Sequence, residues 1–259
     1  MKKTKSCNRI FLLLMFCLVP AGYAALSFSP AHAQPAEWIQ SSLTQLAGES
    51  SQVLLVVGEE SSGFTAMLYA LEKKDNKWRN AFPPLQALIG GKGFAPPGEK
   101  KEGDVKTPSG VFALKRAFGY EAELNSRMPY RQAGKDDLWV DDATSTDYNR
   151  WVRRGETSAA SFEELKLNDD LYKYGIVIEY NTDPVVRGAG SAIFIHVRRG
   201  ETTPTFGCVA LSESDILKIL GWLDPAGKPL AILGTRSSIS MLAQGRISSA
   251  AGLVYEQER

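Results

Sequence analysis

The amino-acid sequence predicts a mainly β protein with one or two packed helices and an irregular insertion. Three observations carry that prediction. From Gln52 onward the apolar runs are of strand length and are bounded by Gly, Ser or Pro. The most β-branched of them, Gly175 to Tyr180 and Ala192 to Val197, come late in the chain. One later stretch carries a full helical signature. Ser212 is its N-cap, Glu213 and Asp215 fall in the first turn, and Ile216, Ile219, Leu220 and Leu223 follow at i, i+3, i+4 and i+7.

Taken in order, Pro35 to Leu46 reads as a short helix, with Trp38 and Ile39 meeting Ser42 and Leu43 on one face. Val53 to Val57 and Phe64 to Leu71 read as strands, and Gly110 to Leu114 as a third. Between them, Gly90 to Pro108 is rich in Gly, Pro and Lys and reads as loop. Phe118 to Lys173 is rich in Asp, Arg and Tyr and reads as an insertion over the core, with weaker strands at Leu138 to Val140 and Tyr148 to Val152. Asp224-Pro225 ends the capped helix, and Leu230 to Leu233 is a further strand. The Ser- and Ala-rich tail after Gly234 is expected to be loosely held.

The N-terminus reads as an address. Lys2, Lys3, Lys5 and Arg9 precede a continuous apolar run from Ile10 to Val19, and Ala31-His32-Ala33 is a small-x-small cleavage site. Residues 1–33 are therefore expected to be a secretory signal peptide and 34–259 a single exported domain, on the periplasmic or wall side of the membrane, with its core at about 50–234 and the insertion at about 118–173. An uncleaved anchor is the competing reading, because Ile10 to Phe28 is uncharged, but Pro20 and Gly22 dilute its hydrophobicity. In either case the membrane is met only through this segment. Nothing in the sequence fixes an oligomeric state.

Removing residues 1–33 takes four basic residues and no acid, leaving 26 basic against 29 acidic residues and a net charge of −3. With no Lys/Arg-rich block, this argues against a nucleic-acid partner held through phosphates. Cys7, Cys17 and His32 leave as well, so Cys208 and His196 remain as the chain's single thiol and single imidazole. Two such ligands cannot build a zinc site, an iron–sulfur cluster or a disulfide framework, and no cofactor or metal is expected.

Singly, each residue has an ordinary explanation. His196 can be a strand histidine bonded to a backbone carbonyl, and Cys208 a small buried hydrophobe. Together they suggest more. A thiol needs a base or cation beside it to become a nucleophile, and imidazole suits that task. If Ile193 and Ile195 point inward, Phe194 and His196 share the other face. Gly207 lets the chain turn sharply before Cys208, and the helix from Ser212 is expected to place amide groups near the thiol and favour a thiolate. An unpaired cysteine in an oxidising compartment also needs a reason to be kept.

At these residues a resemblance emerges. The segment IHVRRGETTPTFGCVAL, ending at Leu211, resembles the signature of the L,D-transpeptidase catalytic domain (YkuD-like) family. Lys106-Thr107-Pro108-Ser109-Gly110-Val111-Phe112 is similar to the family's Thr-Pro-x-Gly-x-Phe strand, so the likeness spans roughly Val53 to Leu233. This branch is divergent. Phe206 stands where many members carry a second His, Ala210 where they carry Arg or Asn, and Val197 follows the first His in place of Gly.

The resemblance implies an L,D-transpeptidase-like β-sandwich and an exported enzyme acting on peptidoglycan stem peptides. By it Cys208 is the nucleophile and His196 the base, and backbone N–H groups at Gly207 and Cys208 form the oxyanion hole. The imidazole tautomer is held by a backbone carbonyl, that of Val197. Carbapenems are an inhibitor class of the family. For substrate binding, Arg198 and Arg199 follow the base and can hold carboxylates, with Thr205 and Phe206 beside the nucleophile. Tyr120, Tyr130, Trp139, Tyr148 and Trp151 are lid candidates.

Other classes compete. A non-catalytic wall-binding module would leave Cys208 unreactive. Papain-like peptidases place Cys before His, and sortases use a longer spacing with a downstream Arg, which Gly207-Cys208 does not fit. The adjacent acids Asp141-Asp142, Glu163-Glu164 and Asp169-Asp170 read as solvated surface, not as a glycosidase pair. The glycines after Gly90 match no phosphate-binding template.

Overall fold

The computed structural model describes residues 35–60 and 63–246, so the expected signal peptide lies outside the described residues. The strands are β1 (Gln52–Gly58), β2 (Thr65–Lys74), β3 (Lys77–Asn80), β4 (Leu85–Leu88), β5 (Phe94–Ala95), β6 (Thr107–Pro108), β7 (Gly110–Gly119) and β8 (Tyr130–Gln132). They continue with β9 (Asp137–Val140), β10 (Trp151–Arg153), β11 (Phe162–Glu164), β12 (Tyr174–Ile178), β13 (Phe194–Val197), β14 (Val209–Leu211) and β15 (Leu230–Thr235). Three helices accompany them, α1 (Glu37–Leu46), α2 (Glu213–Trp222) and α3 (Arg236–Ala243). The protein is mostly β, as its apolar runs predict.

Ten strands form one sheet in the order β1-β15-β7-β12-β13-β14-β4-β2-β3, with β8 beside β7, and β1 pairs back onto β2. That last pairing closes the path from β1 to β2 into a ring, with β3 paired to β2 outside it. Alternation along each strand gives the ring two apolar faces. Leu54, Val56, Leu68, Phe112, Ile176, Ile195, Val209 and Leu233 meet in one cluster, which also takes the stripe of α2, Ile216, Ile219, Leu220 and Leu223. The opposite face is covered in two places. Ile39 and Leu43 of α1 and Ile239 of α3 pack on Val53, Leu55, Val111 and Ile232. Residues 137–172 supply the other cover, with Trp139, Leu165 and Tyr172 packing on Phe118 of β7, Val177, Phe194 and Cys208.

The N-cap at Ser212 forms as expected, its hydroxyl accepting from the Asp215 amide. The described part of the tail, up to residue 246, is better held than its composition suggests, and the rest lies outside the described residues. Thr235 caps α3, whose Ile239 and Leu242 are buried. Within the insertion, Tyr148 precedes β10 and belongs to no strand, and β10-β9-β11 form a separate three-stranded sheet. The 90–108 segment is loop apart from the short β5–β6 pairing. No helix among the described residues is long and apolar enough to cross a membrane.

Candidate functional site

The ladder places the two chemically distinctive side chains. β13 and β14 run parallel, with Ile195 opposite Val209 and His196 opposite Ala210. Ile193, Ile195 and Val209 face the interior cluster, so His196 and the residue just before β14, Cys208, share the other face of neighbouring strands. Both line one cavity of about 510 Å³ between that face, the insertion and the 90–108 loop.

Cys208 sits on a turn that the local sequence builds. Gly207 has φ +148°, and a Cβ there would lie 3.0 Å from the Lys106 carbonyl oxygen and 3.2 Å from Ile193. Thr205 ties the turn together, its hydroxyl donating to the Cys208 carbonyl at 2.7 Å and accepting the Gly207 amide at 3.1 Å. Thr107 Oγ1 also reaches the Cys208 carbonyl at 3.4 Å. The Gly207 N–H, expected in the oxyanion hole, is thus directed at Thr205. Thr205, expected to touch substrate, lines the cavity and also braces the turn.

The thiol accepts the Phe194 amide at 3.3 Å and donates to the Ala192 carbonyl at 3.2 Å. Burial pushes it up to about 12, with the Phe194 amide opposing that rise. The expected thiolate near the α2 N-terminus is therefore not the resting state. The amide on the sulfur comes from β13, and water exclusion outweighs it. His196 Nδ1 lies 2.8 Å from the Val197 carbonyl oxygen, the bond the resemblance implies. Burial drives this imidazole down to about 4. Tyr172 presses edge-on against it at 5.4 Å between ring centroids. At neutral pH the site holds a neutral thiol and a neutral imidazole with Nδ1 protonated, so Nε2 carries the free lone pair.

The remaining candidates separate by position. Arg199 lines the cavity and pairs with Asp169 at 3.2 Å. Arg198 does not line it, and it pairs with Glu201 instead. Phe206 is 80 % exposed at the cavity wall. The lid aromatics are mostly packing. Trp139 and Trp151 stack against Phe118 and Phe194, and Tyr148 is buried, bonded to Glu102 and to the Gly190 amide.

Several cavity residues carry no sequence signal of their own. Asp141 and Glu163 face the cavity, while their neighbours Asp142 and Glu164 bond at the surface, to Thr144 and Arg154. Glu163 and Glu164 are adjacent on β11 and point to opposite sides, so for these two pairs the solvated reading was half right, while Asp169 and Asp170 are exposed as expected. Burial holds the Glu163 carboxyl above its usual range, with Asp141 adding to the rise, and Tyr172 donates to it at 3.4 Å. Lys100, Glu102 and Ser191 complete the polar lining. Among the described residues no group of three His, Cys, Asp or Glu side chains is placed to hold a metal ion.

A family model, YkuD, described as the L,D-transpeptidase catalytic domain, matches residues 65–236, a span that contains β2 through β15 and every cavity residue. No match was found among curated proteins or among solved structures.

Proposed function

The chain belongs to the L,D-transpeptidase catalytic domain family, and from that premise we propose that it is an exported enzyme that acylates Cys208 with peptidoglycan stem peptides, His196 serving as base and then acid. The observation that carries the reading is the shared placement of Cys208 and His196 on one face of paired strands, opening into a cavity, with the imidazole tautomer fixed by Val197.

The chemistry follows from the neutral pair. As Sγ attacks the carbonyl of the third stem residue, its proton passes to Nε2, so thiolate and imidazolium form only along the reaction. The Val197 carbonyl, already accepting Nδ1–H, stabilises the imidazolium. The Cys208 amide is the donor for the oxyanion, since Gly207 serves the turn. Collapse expels the terminal D-alanine as its nitrogen takes the proton back from Nε2, leaving a thioester on Cys208. An acceptor amine, or water, then attacks that thioester and the thiol is regenerated. No cofactor enters these steps.

Incubating the purified protein with a stem tetrapeptide and following products by mass spectrometry tests the proposal. It predicts free D-alanine with a tripeptide or cross-linked dimer. Intact tetrapeptide with the wild-type protein, when a cross-linked muropeptide mixture is also left unchanged, contradicts it.

A further inference from the structure

One cavity residue is out of place for a solvent-exposed loop. Lys100 is 6 % exposed, although it comes from the Gly/Pro-rich 90–108 segment. Its slot is made by glycines. A Cβ on Gly190, at φ +100°, would lie 3.0 Å from Lys100 Cγ, and one on Gly207 would lie 3.7 Å from Lys100 Cε. The end of the lysine stem therefore runs beside the turn that presents Cys208.

The ammonium has two partners. Nζ donates to Asp104 Oδ1 at 2.6 Å and to the Lys101 carbonyl at 2.8 Å. An ammonium has three donors. Asp104 is itself shared, since the Lys101 and Lys106 amides also donate to it. Burial works to raise the Asp104 carboxyl, but these donors hold it below its usual range. Desolvating an ion pair costs more than such a pair commonly returns in stability. Apart from Asp141, whose Oδ1 is buried without a partner among the described residues, the other charges of the cavity are engaged elsewhere. Glu102 accepts from Tyr148 and Ser191, Glu163 from Tyr172, and Arg199 pairs with Asp169 at the rim.

We propose that Lys100 is the carboxylate anchor of this cavity, its third N–H binding the C-terminal carboxylate of the peptide that Cys208 attacks. The inference rests on the functional reading above and deepens it. The enzyme then acts on stems with a free C-terminus and discriminates against those whose terminus is capped. Lys100 touches substrate but takes no proton.

The test compares two stem tetrapeptides, one ending in a free carboxylate and one in a primary amide, with the full chain and its K100Q variant. Wild-type kcat/KM is expected to favour the carboxylate on the order of tenfold to a hundredfold, the range of a hydrogen bond to a charged group. In K100Q that preference collapses to about onefold, while circular dichroism matches wild type. An unchanged preference in folded K100Q overturns the proposal. If K100Q does not fold, the K100M/D104N variant removes both charges and is read the same way. Should wild type turn over neither peptide, the functional reading fails and the anchor is tested on its own. N-acetyl-D-alanine, but not its amide, then slows iodoacetamide labelling of Cys208 in wild type, and equal or absent protection overturns it.

Discussion

The Nδ1 of His196 lies 2.8 Å from the carbonyl oxygen of Val197, the next residue in the chain. A buried imidazole thereby obtains its orienting partner from its own backbone, without a carboxylate. Burial keeps the ring neutral against the pull of that bond and leaves Nε2 free, so in the proposed reaction the thiol is activated by proton transfer during attack rather than by a standing thiolate.

Thiol reactivity follows from that balance. Because burial pushes Cys208 up to about 12, alkylation by iodoacetamide should climb with pH beyond 9 without levelling off below it. Free cysteine titrates near 8.5, so at pH 7.5 the protein should react at least about ten times more slowly than a cysteine peptide. A half-maximal rate below pH 8 would mean that a standing thiolate exists.

The imidazole makes a matching prediction for stability. His196 is driven down to about 4 in the fold, against about 6.5 in the unfolded chain. Between these values the unfolded state binds the proton first. The His196 contribution is therefore complete above pH 6.5 and is lost as pH falls toward 4, by about 3 kcal/mol at most. Urea unfolding from pH 4 to 7 should show this slope in wild type and a shallower one in H196Q.

The turn before Cys208 should be intolerant. G207A puts a Cβ on a backbone at φ +148°, 3.0 Å from the Lys106 carbonyl, and should lower stability by about 1–3 kcal/mol. T205V removes the hydroxyl that serves both Cys208 and Gly207, at a cost of about 1–3 kcal/mol. Thermal melts read the first effect. For T205V, activity per folded molecule should fall as well, because the turn aims the sulfur.

The two arginines after His196 should part company. R199A removes a cation from the cavity wall and should raise KM for a carboxylate-bearing stem peptide. R198A breaks only a pair with Glu201 and should leave kcat and KM within about twofold of wild type. Equal effects would mean that the cavity is read wrongly.

Much of this site was legible in residue types and order. Once residues 1–33 are set aside, one thiol and one imidazole remain, and the alternation of Ile193, Phe194, Ile195 and His196 gives the face that His196 occupies. The Ser212 cap and its stripe gave α2. What stayed hidden depends on contacts distant in sequence. The parallel pairing of β1 with β15, far apart in the chain, sits in no local pattern. Short apolar stretches such as Leu85–Leu88 are too brief for periodicity to mark, and the Ser-rich α3 is anchored by Ile239 and Leu242 alone. Lys100 and Glu163 look like ordinary surface charges until the 90–108 loop and β11 fold over Cys208. The thiolate expectation failed for a related reason. Sequence placed a helix near Cys208, but not the Tyr172, Phe194 and Trp139 packing that keeps water from it.

The central claim is that Cys208 carries the acyl group, and intact-protein mass spectrometry after incubation with a carbapenem tests it most directly. Wild type should gain the mass of one carbapenem, mapped by peptide digestion to Cys208, while folded C208A gains none. Adduct formation by C208A at the wild-type rate, or an adduct mapped to any other residue, would contradict it.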